Sequence, residues 1–232
     1  MPRLLAAVLA ALALLGPVGP GSTASAASGA TPTQIDQAFV ADLQPPVAGQ
    51  VVTFTAVVRS GSAGVPNVSV TLLTRPAGAT GYLPVATVVS DPDGNVSADV
   101  RLTRTTAITW RFDGDSSYAS ARTDPYAQPV ATRVRASAND LTLRRGQRLV
   151  VAGTTFPAKP GSRVSLWRGQ IPYPLTQGPA PSRVAVGVVR ADGTLRLVAR
   201  FRHRGVKQLF VKVAGGGGNV TGYSRYLRIR VR

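Results

Sequence analysis

Little in this 232-residue chain could do covalent chemistry, because it has no cysteine, no glutamate and a single histidine. His203 stands between Arg202 and Arg204 with no carboxylate near it in sequence. A nucleophile–base–acid set needs an acid to hold its base, and a two-carboxylate hydrolase needs two acids in one cleft. The last hundred residues contain only Asp140 and Asp192, and Asp192 belongs to a turn. These residues predict a protein that is not an enzyme and uses no cofactor. Asp91, Asp93 and Asn95 alternate like the start of a calcium loop. However, Val96 occupies the place of the expected glycine and Leu102 that of the closing acid, so a hairpin turn is expected and no metal site. Asp113 and Asp115 read the same way, as carboxylates that cap neighbouring backbone N–H groups. Three Asn-Val-Ser/Thr triplets, at Asn67, Asn95 and Asn219, fit an N-glycosylation pattern. No helix start follows Gly215 to Gly218, so the glycines read as a mobile hairpin loop and not as a phosphate cradle.

What remains is charge. From Ser28 to Thr132 six arginines face eight aspartates, whereas from Arg133 to Arg232 seventeen arginines and three lysines face two aspartates. The second half therefore carries the excess, and a field of that sign attracts polyanions. At a period of two, Leu227, Ile229 and Val231 point inward and leave Tyr226, Arg228, Arg230 and Arg232 outward. Pairing with the strand from Val206 to Val213 would add Gln208, Phe210 and Lys212 to that face. The strand from Arg163 would add Arg163, Ser165 and Trp167. Arginines two apart on a strand stand about 6–7 Å apart, which suits repeated anionic groups. The candidate polyanion-binding residues are therefore Arg163, Lys212, Arg228, Arg230 and Arg232, with Trp167, Phe210 and Tyr226 as candidate stacking surfaces. Arg196, Arg200, Arg202 and Arg204 form a second row on the opposite sheet.

The elements that must carry these rows are strands. Gly, Pro, Thr and Val are frequent, no amphipathic helix is evident, and short alternating segments are separated by turn residues. Strands are expected over 34–41, 50–59, 67–74, 83–90, 96–102, 107–112 and near 127–135. Seven strands at such intervals predict an antiparallel sandwich. The order then recurs. Gly146-Gln147 answers Gly49-Gln50, Pro160 to Leu166 answers Gly64 to Val70, Arg183 to Arg190 answers Leu83 to Ser90, and Asp192-Gly193 answers Asp93-Gly94. The reading is all-β: a signal peptide over 1–26, a first sandwich over 33–131, and a second, basic one over 132–232. The leader rests on Arg3, the apolar run Leu4 to Leu15, the break at Gly16-Pro17 and the small residues Ala24-Ser25-Ala26. No glycine-rich spacer separates the sandwiches, so a stiff pair is expected.

Gly49-Gln50 before a strand, the Val65 to Leu72 segment, Ala86 to Gly94 and above all Phe112-Asp113-Gly114-Asp115-Ser116-Ser117-Tyr118 resemble bacterial immunoglobulin-like domains. The Arg/Ala/Val-rich composition is similar to that of high-GC actinobacteria. The resemblance covers residues 33–135 well and the second sandwich more loosely, because Ala214 to Asn219 replaces the Asp-Gly-Asp motif. It implies tandem sandwiches used as spacers, adhesin modules or enzyme appendages, with no shared catalytic residue. The expected protein is secreted or extracellular, released or held at the cell envelope without a transmembrane anchor, and is a partner of anionic polymers such as wall polymer, acidic polysaccharide or extracellular nucleic acid. A structural spacer or protein-interaction module, and a neutral-carbohydrate module using the aromatic face, are the alternatives.

Overall fold

The computed structural model describes residues 29–38, 44–172 and 179–232, so the leader over 1–26 lies outside the described residues. Nine strands form around a first core: β1 (Gln34–Ala38), β2 (Gln50–Ser60), β3 (Ala63–Gly64), β4 (Ser69–Pro76), β5 (Leu83–Val89), β6 (Asn95–Leu102), β7 (Thr106–Phe112), β8 (Ala121–Arg122) and β9 (Tyr126–Gln128). One sheet runs β1-β2-β6, with β3 at the end of β2; the other runs β5-β4-β7, with β8 and β9 beside β7. The alternation in the sequence decides the inner faces. Phe54, Ala56 and Val58 of β2 meet Val96, Ala98 and Leu102 of β6 and, from the facing sheet, Leu72, Ile108, Trp110 and Phe112.

The second core repeats this plan with β10 (Arg133–Ala138), β11 (Thr142–Leu143), β12 (Arg148–Phe156), β13 (Arg163–Arg168), β14 (Ser182–Val188), β15 (Thr194–Arg200), β16 (Gly205–Val213), β17 (Gly222–Tyr223) and β18 (Leu227–Val231). The sheets run β10-β12-β15 and β11-β18-β16-β13-β14. Among the described residues there is no helix, and both strand orders are those of an immunoglobulin-like β-sandwich. A fully buried aliphatic or aromatic side chain is worth about 1.5–3 kcal/mol. An exposed ion pair is worth about 0–1, so the two cores hold the molecule together.

The repeat extends to single hydrogen bonds. The N–H of Gly49 donates to Leu102 O at 2.6 Å and that of Gly146 to Phe201 O at 2.9 Å. The Gln50 side chain accepts from Val47 N at 3.2 Å, and the Gln147 side chain from Arg144 N at 2.8 Å. Both copies also carry a β-bulge in the same place, between Leu72 and Leu73 and between Leu166 and Trp167. With Leu72 opposite Trp110 and Leu166 opposite Val211, this landmark aligns Val70 with Val164. The alignment read from sequence paired Val70 with Leu166, a slip of two. A slip of two leaves every side chain on its original face, so alternation alone cannot detect it.

Three other expectations change. The Asp-Gly turns are not hairpins: β5 pairs with β4 and β6 with β2, so the turn at Asp93-Gly94 crosses from one sheet to the other, as does that at Asp192-Gly193. Gly94 has φ +82°, and a Cβ there would lie 2.3 Å from Val58 O, which makes glycine obligatory at this crossing. Second, the strand expected near 127–135 is two strands, β9 and β10, interrupted over 129–132, where Pro129 has no N–H to donate. Third, Gly215 to Gly218 does not form a free hairpin tip, because the run lies against the first sandwich. Thr105 N donates to Gly218 O at 2.7 Å, and the buried Asn219 amide donates to Thr103 O at 2.9 Å. Ala131 bridges in parallel to Val47 on one side and Val220 on the other, so the connection is stitched to both sandwiches.

Candidate functional site

The outer face of the β11-β18-β16-β13-β14 sheet carries the predicted residues, and strand register decides which of them meet. Trp167 lies opposite Phe210, and Ser165 opposite Lys212. The Trp167 indole donates to Ser165 Oγ at 2.7 Å, and the Lys212 amine lies 5.7 Å from the centre of the indole ring. Arg183, which the sequence reading did not include, stands opposite Trp167 on β14. Lys212, Trp167 and Arg183 thus form one group. Arg228 and Arg230 form another, opposite Gln208 and Val206 on β16. Arg163 is exposed at the far end of β13 and joins neither.

Two expected stacking rings are altered by what covers them. Phe210 is fully buried at 0% exposure, although it faces outward from its sheet. Tyr223 packs edge-on against it at 5.9 Å and Tyr226 at 6.1 Å, so Phe210 offers no ring face to a ligand. Tyr226 is 44% exposed, but its hydroxyl accepts from Ile171 N at 2.8 Å, which ties the ring to the segment after β13. Ser165 is buried as well. Trp167, partly buried, is the remaining one of the three with an indole face near a cation.

The fold also builds a basic tip that the sequence reading missed. Arg145 N donates to Arg232 O at 3.1 Å and Gly146 N to Phe201 O at 2.9 Å, which brings the turn 144–147 beside the loop 201–204 and the C-terminal residue. Arg148 stands directly opposite Arg200. Arg144, Arg145 and Arg148 therefore share one end of the sandwich with Arg200, Arg202 and Arg204, and all six are exposed. Arg230 and Arg232 reach the same end along β18, and Thr142 of β11 pairs with Arg230. A sequence signal existed: the repeat aligns the Gly49 turn with the Gly146 turn, and the first of these is already joined to the end of β6.

Of the seventeen arginines in the second sandwich, sixteen are exposed and Arg133 is partly buried. None has a carboxylate within salt-bridge distance among the described residues. The two such pairs, Arg59 with Asp36 at 3.5 Å and Arg111 with Asp113 at 2.9 Å, are both in the first sandwich. The sparse acids are occupied by turns. Asp140 accepts from Thr142 N at 2.8 Å and Asp192 from Thr194 N at 2.9 Å. The Thr194 hydroxyl, then its N–H, hold the Asp192 carboxyl below the ordinary aspartate range. Asp91 accepts from the N–H groups of Asp93 and Asn95 at 2.9 and 2.8 Å and from the Asn95 amide, which lowers its pKa in the same way. Asp115 caps Ser117 N and Tyr118 N at 2.7 and 2.8 Å. These carboxylates do structural work, and among the described residues no cluster of three or more metal-ligating side chains occurs. His203 is exposed in the arginine-rich loop.

No family model matches the chain, and no curated protein matches it. Among solved structures, it is similar to red sea bream transglutaminase at 14% identity and TM-score 0.42, over 86% of this chain and 31% of that one. A Salmonella alpha-2-macroglobulin reacted with methylamine gives 14% identity and TM-score 0.34, over 86% and 16%. The D0-D1 domain of Intimin gives 11% and 0.29, over 85% and 97%. The chain thus spans under a third of the transglutaminase and about a sixth of the macroglobulin.

Proposed function

We propose that this is a non-catalytic secreted or cell-surface protein of actinobacterial type whose second sandwich holds an anionic polymer by electrostatics, the first serving as a spacer. Wall polymer, acidic polysaccharide and extracellular nucleic acid are the ligand classes. The observation that supports this reading is that, among the described residues, no carboxylate lies within salt-bridge distance of the exposed arginines in the second sandwich. Arg148 opposite Arg200 sharpens it, since like charges directly across a strand pair are destabilising and a bound polyanion would offset that repulsion.

The test is retention on an anionic matrix across a salt series, comparing wild type with Arg228→Ser/Arg230→Ser/Arg232→Ser. Retention should fall, and its log-log dependence on salt should flatten by roughly one per arginine removed. Equal retention of the triple variant would remove this strand from the reading. Binding that survives high salt and disappears in Trp167→Ala would instead favour a neutral sugar.

A protein-interaction role has one observation in its favour. The unpaired edge strands β5 and β14 occupy equivalent places and leave Val85 and Val89, and Val186 and Val188, exposed. Such edges accept a partner's strand.

A further inference from the structure

At the seam between the sandwiches, at the opposite end of the second sandwich from the arginine tip, lies a cavity of ≈ 530 Å³. Its wall includes Val47 of the first sandwich, Val134 and Ala136 of β10, Arg133 and Arg135 on the same strand, and Tyr223 and Arg225 from β17 and the link that follows it. Three arginines from two separate elements thus line one concavity, and no acidic residue lines it among the described residues. Arg133 and Arg135 are two apart on a strand, so they stand roughly 6–7 Å apart on one side.

Two of these side chains, Arg133 and Tyr223, are held in place. The Arg133 guanidinium carbon lies 4.7 Å over the Phe156 ring. It also rests against Gly49, where a Cβ would come within 3.2 Å of its terminal nitrogen. Tyr223 is seated edge-on against the buried Phe210 at 5.9 Å. Backbone packs closely next to Tyr223: a Cβ on Gly222 would lie 2.0 Å from Thr132 O. A concave site lined by one sign of charge focuses potential, so arginines here attract an anion more strongly than the same residues on a flat face. The paired N–H donors of arginine match tetrahedral oxyanions in bidentate fashion. The volume falls within the range of small-ligand pockets and exceeds that of one phosphate.

We propose that this seam cavity is a discrete phosphate-recognition site, taking a diphosphate or a phosphorylated sugar unit, free or as part of a polymer. It goes beyond the electrostatic reading of the tip, because it uses different arginines and does not require the tip to bind anything.

The experiment titrates the full chain with inorganic pyrophosphate at 150 mM salt, where diffuse attraction is screened to about 8 Å. Arginine Nε–Hε and Tyr223 resonances are followed by NMR. The expected result is one-site saturation confined to Arg133, Arg135, Arg225 and Tyr223. Arg225→Gln, at an exposed position, and Arg133→Gln should each weaken binding roughly tenfold, the loss of about one charge-assisted hydrogen bond. Arg228→Ser/Arg230→Ser/Arg232→Ser should leave pyrophosphate affinity unchanged. A trigalacturonate arm distinguishes phosphate from carboxylate, and should bind at least about tenfold more weakly if phosphate geometry is what the site reads. A decameric polyphosphate that displaces pyrophosphate identifies a polymer as the source; one that does not identifies the free diphosphate. Non-saturating shifts spread over all arginines, or unchanged affinity in both Gln variants, would overturn the site. Loss of polymer retention in the Ser variant alongside unsaturable pyrophosphate would sink this site and leave the tip reading standing, and the reverse pattern would do the opposite.

Discussion

Arg111 and Lys212 occupy equivalent places on the two sandwiches, opposite Thr71 and Ser165, yet their surroundings differ. Arg111 pairs with Asp113 at 2.9 Å, and Arg75 and Arg122 of the same face lie 4.9 and 5.2 Å from the Tyr82 ring centre. Lys212 has an indole at 5.7 Å instead of an acid, and the arginines around it have no carboxylate. One backbone plan thus carries two electrostatic surfaces, one partly neutralised within the chain and one left to be neutralised from outside. Turn hydrogen bonds and the β-bulge are shared between the copies, so the difference lies in outward-facing side chains.

The seam between the copies has its own chemistry. Lys159 is largely buried there, donates to Thr132 Oγ1 at 3.2 Å and to Gly216 O, and has no acid partner among the described residues. Burial holds its ammonium below the ordinary lysine value of 10.5. It pins the glycine run that lies against the first sandwich, so the relation between the copies depends on a charge that folding disfavours.

The largest expected effects test whether the copies are separate cores. Leu72→Ala and Leu166→Ala remove equivalent, fully buried side chains and should each cost about 2–5 kcal/mol. Each sandwich holds one of the two tryptophans, so unfolding followed by fluorescence assigns the loss. Leu166→Ala should lower the Trp167 transition and leave that of Trp110, and a common shift in both would mean one cooperative unit. Next is the surface contrast: Arg75→Ser/Arg111→Ser/Arg122→Ser should leave retention on an anionic matrix unchanged, where the Arg228/Arg230/Arg232 variant loses it. Equal loss in both would erase the division of roles.

Smaller effects sharpen the seam. Because the Lys159 pKa is lowered on folding, the unfolded chain binds more protons between the two values. Stability should therefore rise with pH through the window that ends near 10.5, and Lys159→Met should flatten that rise in a series of thermal midpoints. The smallest concerns the two crossing turns. Depressed Asp91 and Asp192 pKa values contribute stability that is present above the ordinary carboxyl range and lost as pH falls through the folded values. Carboxyl carbon titration should show both midpoints below 3.8, and Asn95→Ala should raise that of Asp91 alone.

Much of this architecture was legible because strand alternation is a local property. Phe54, Ala56 and Val58, or Leu209, Val211 and Val213, must share a face whatever their strands pair with, and the excess of arginine over acid needs only counting. The duplication was visible too, since turns need glycine at fixed places. What alternation leaves open is the identity of the neighbour. Phe210 points outward by its period and is nevertheless buried, because Tyr223 of β17 and Tyr226 from the link after it fold over it. The Asp-Gly turns demand a reversal but do not say whether the chain returns to the same sheet or crosses to the other. Glycines without side chains suggest a free loop, yet Gly218 is held against the first sandwich, where a Cβ would come within 3.1 Å of the Ala77 Cβ. Composition and period therefore determined the class of fold, its duplication and the sign of its surface. Only tertiary contacts, which join residues distant in sequence, decided which arginines gather at the tip, which line the seam and which aromatic rings are covered.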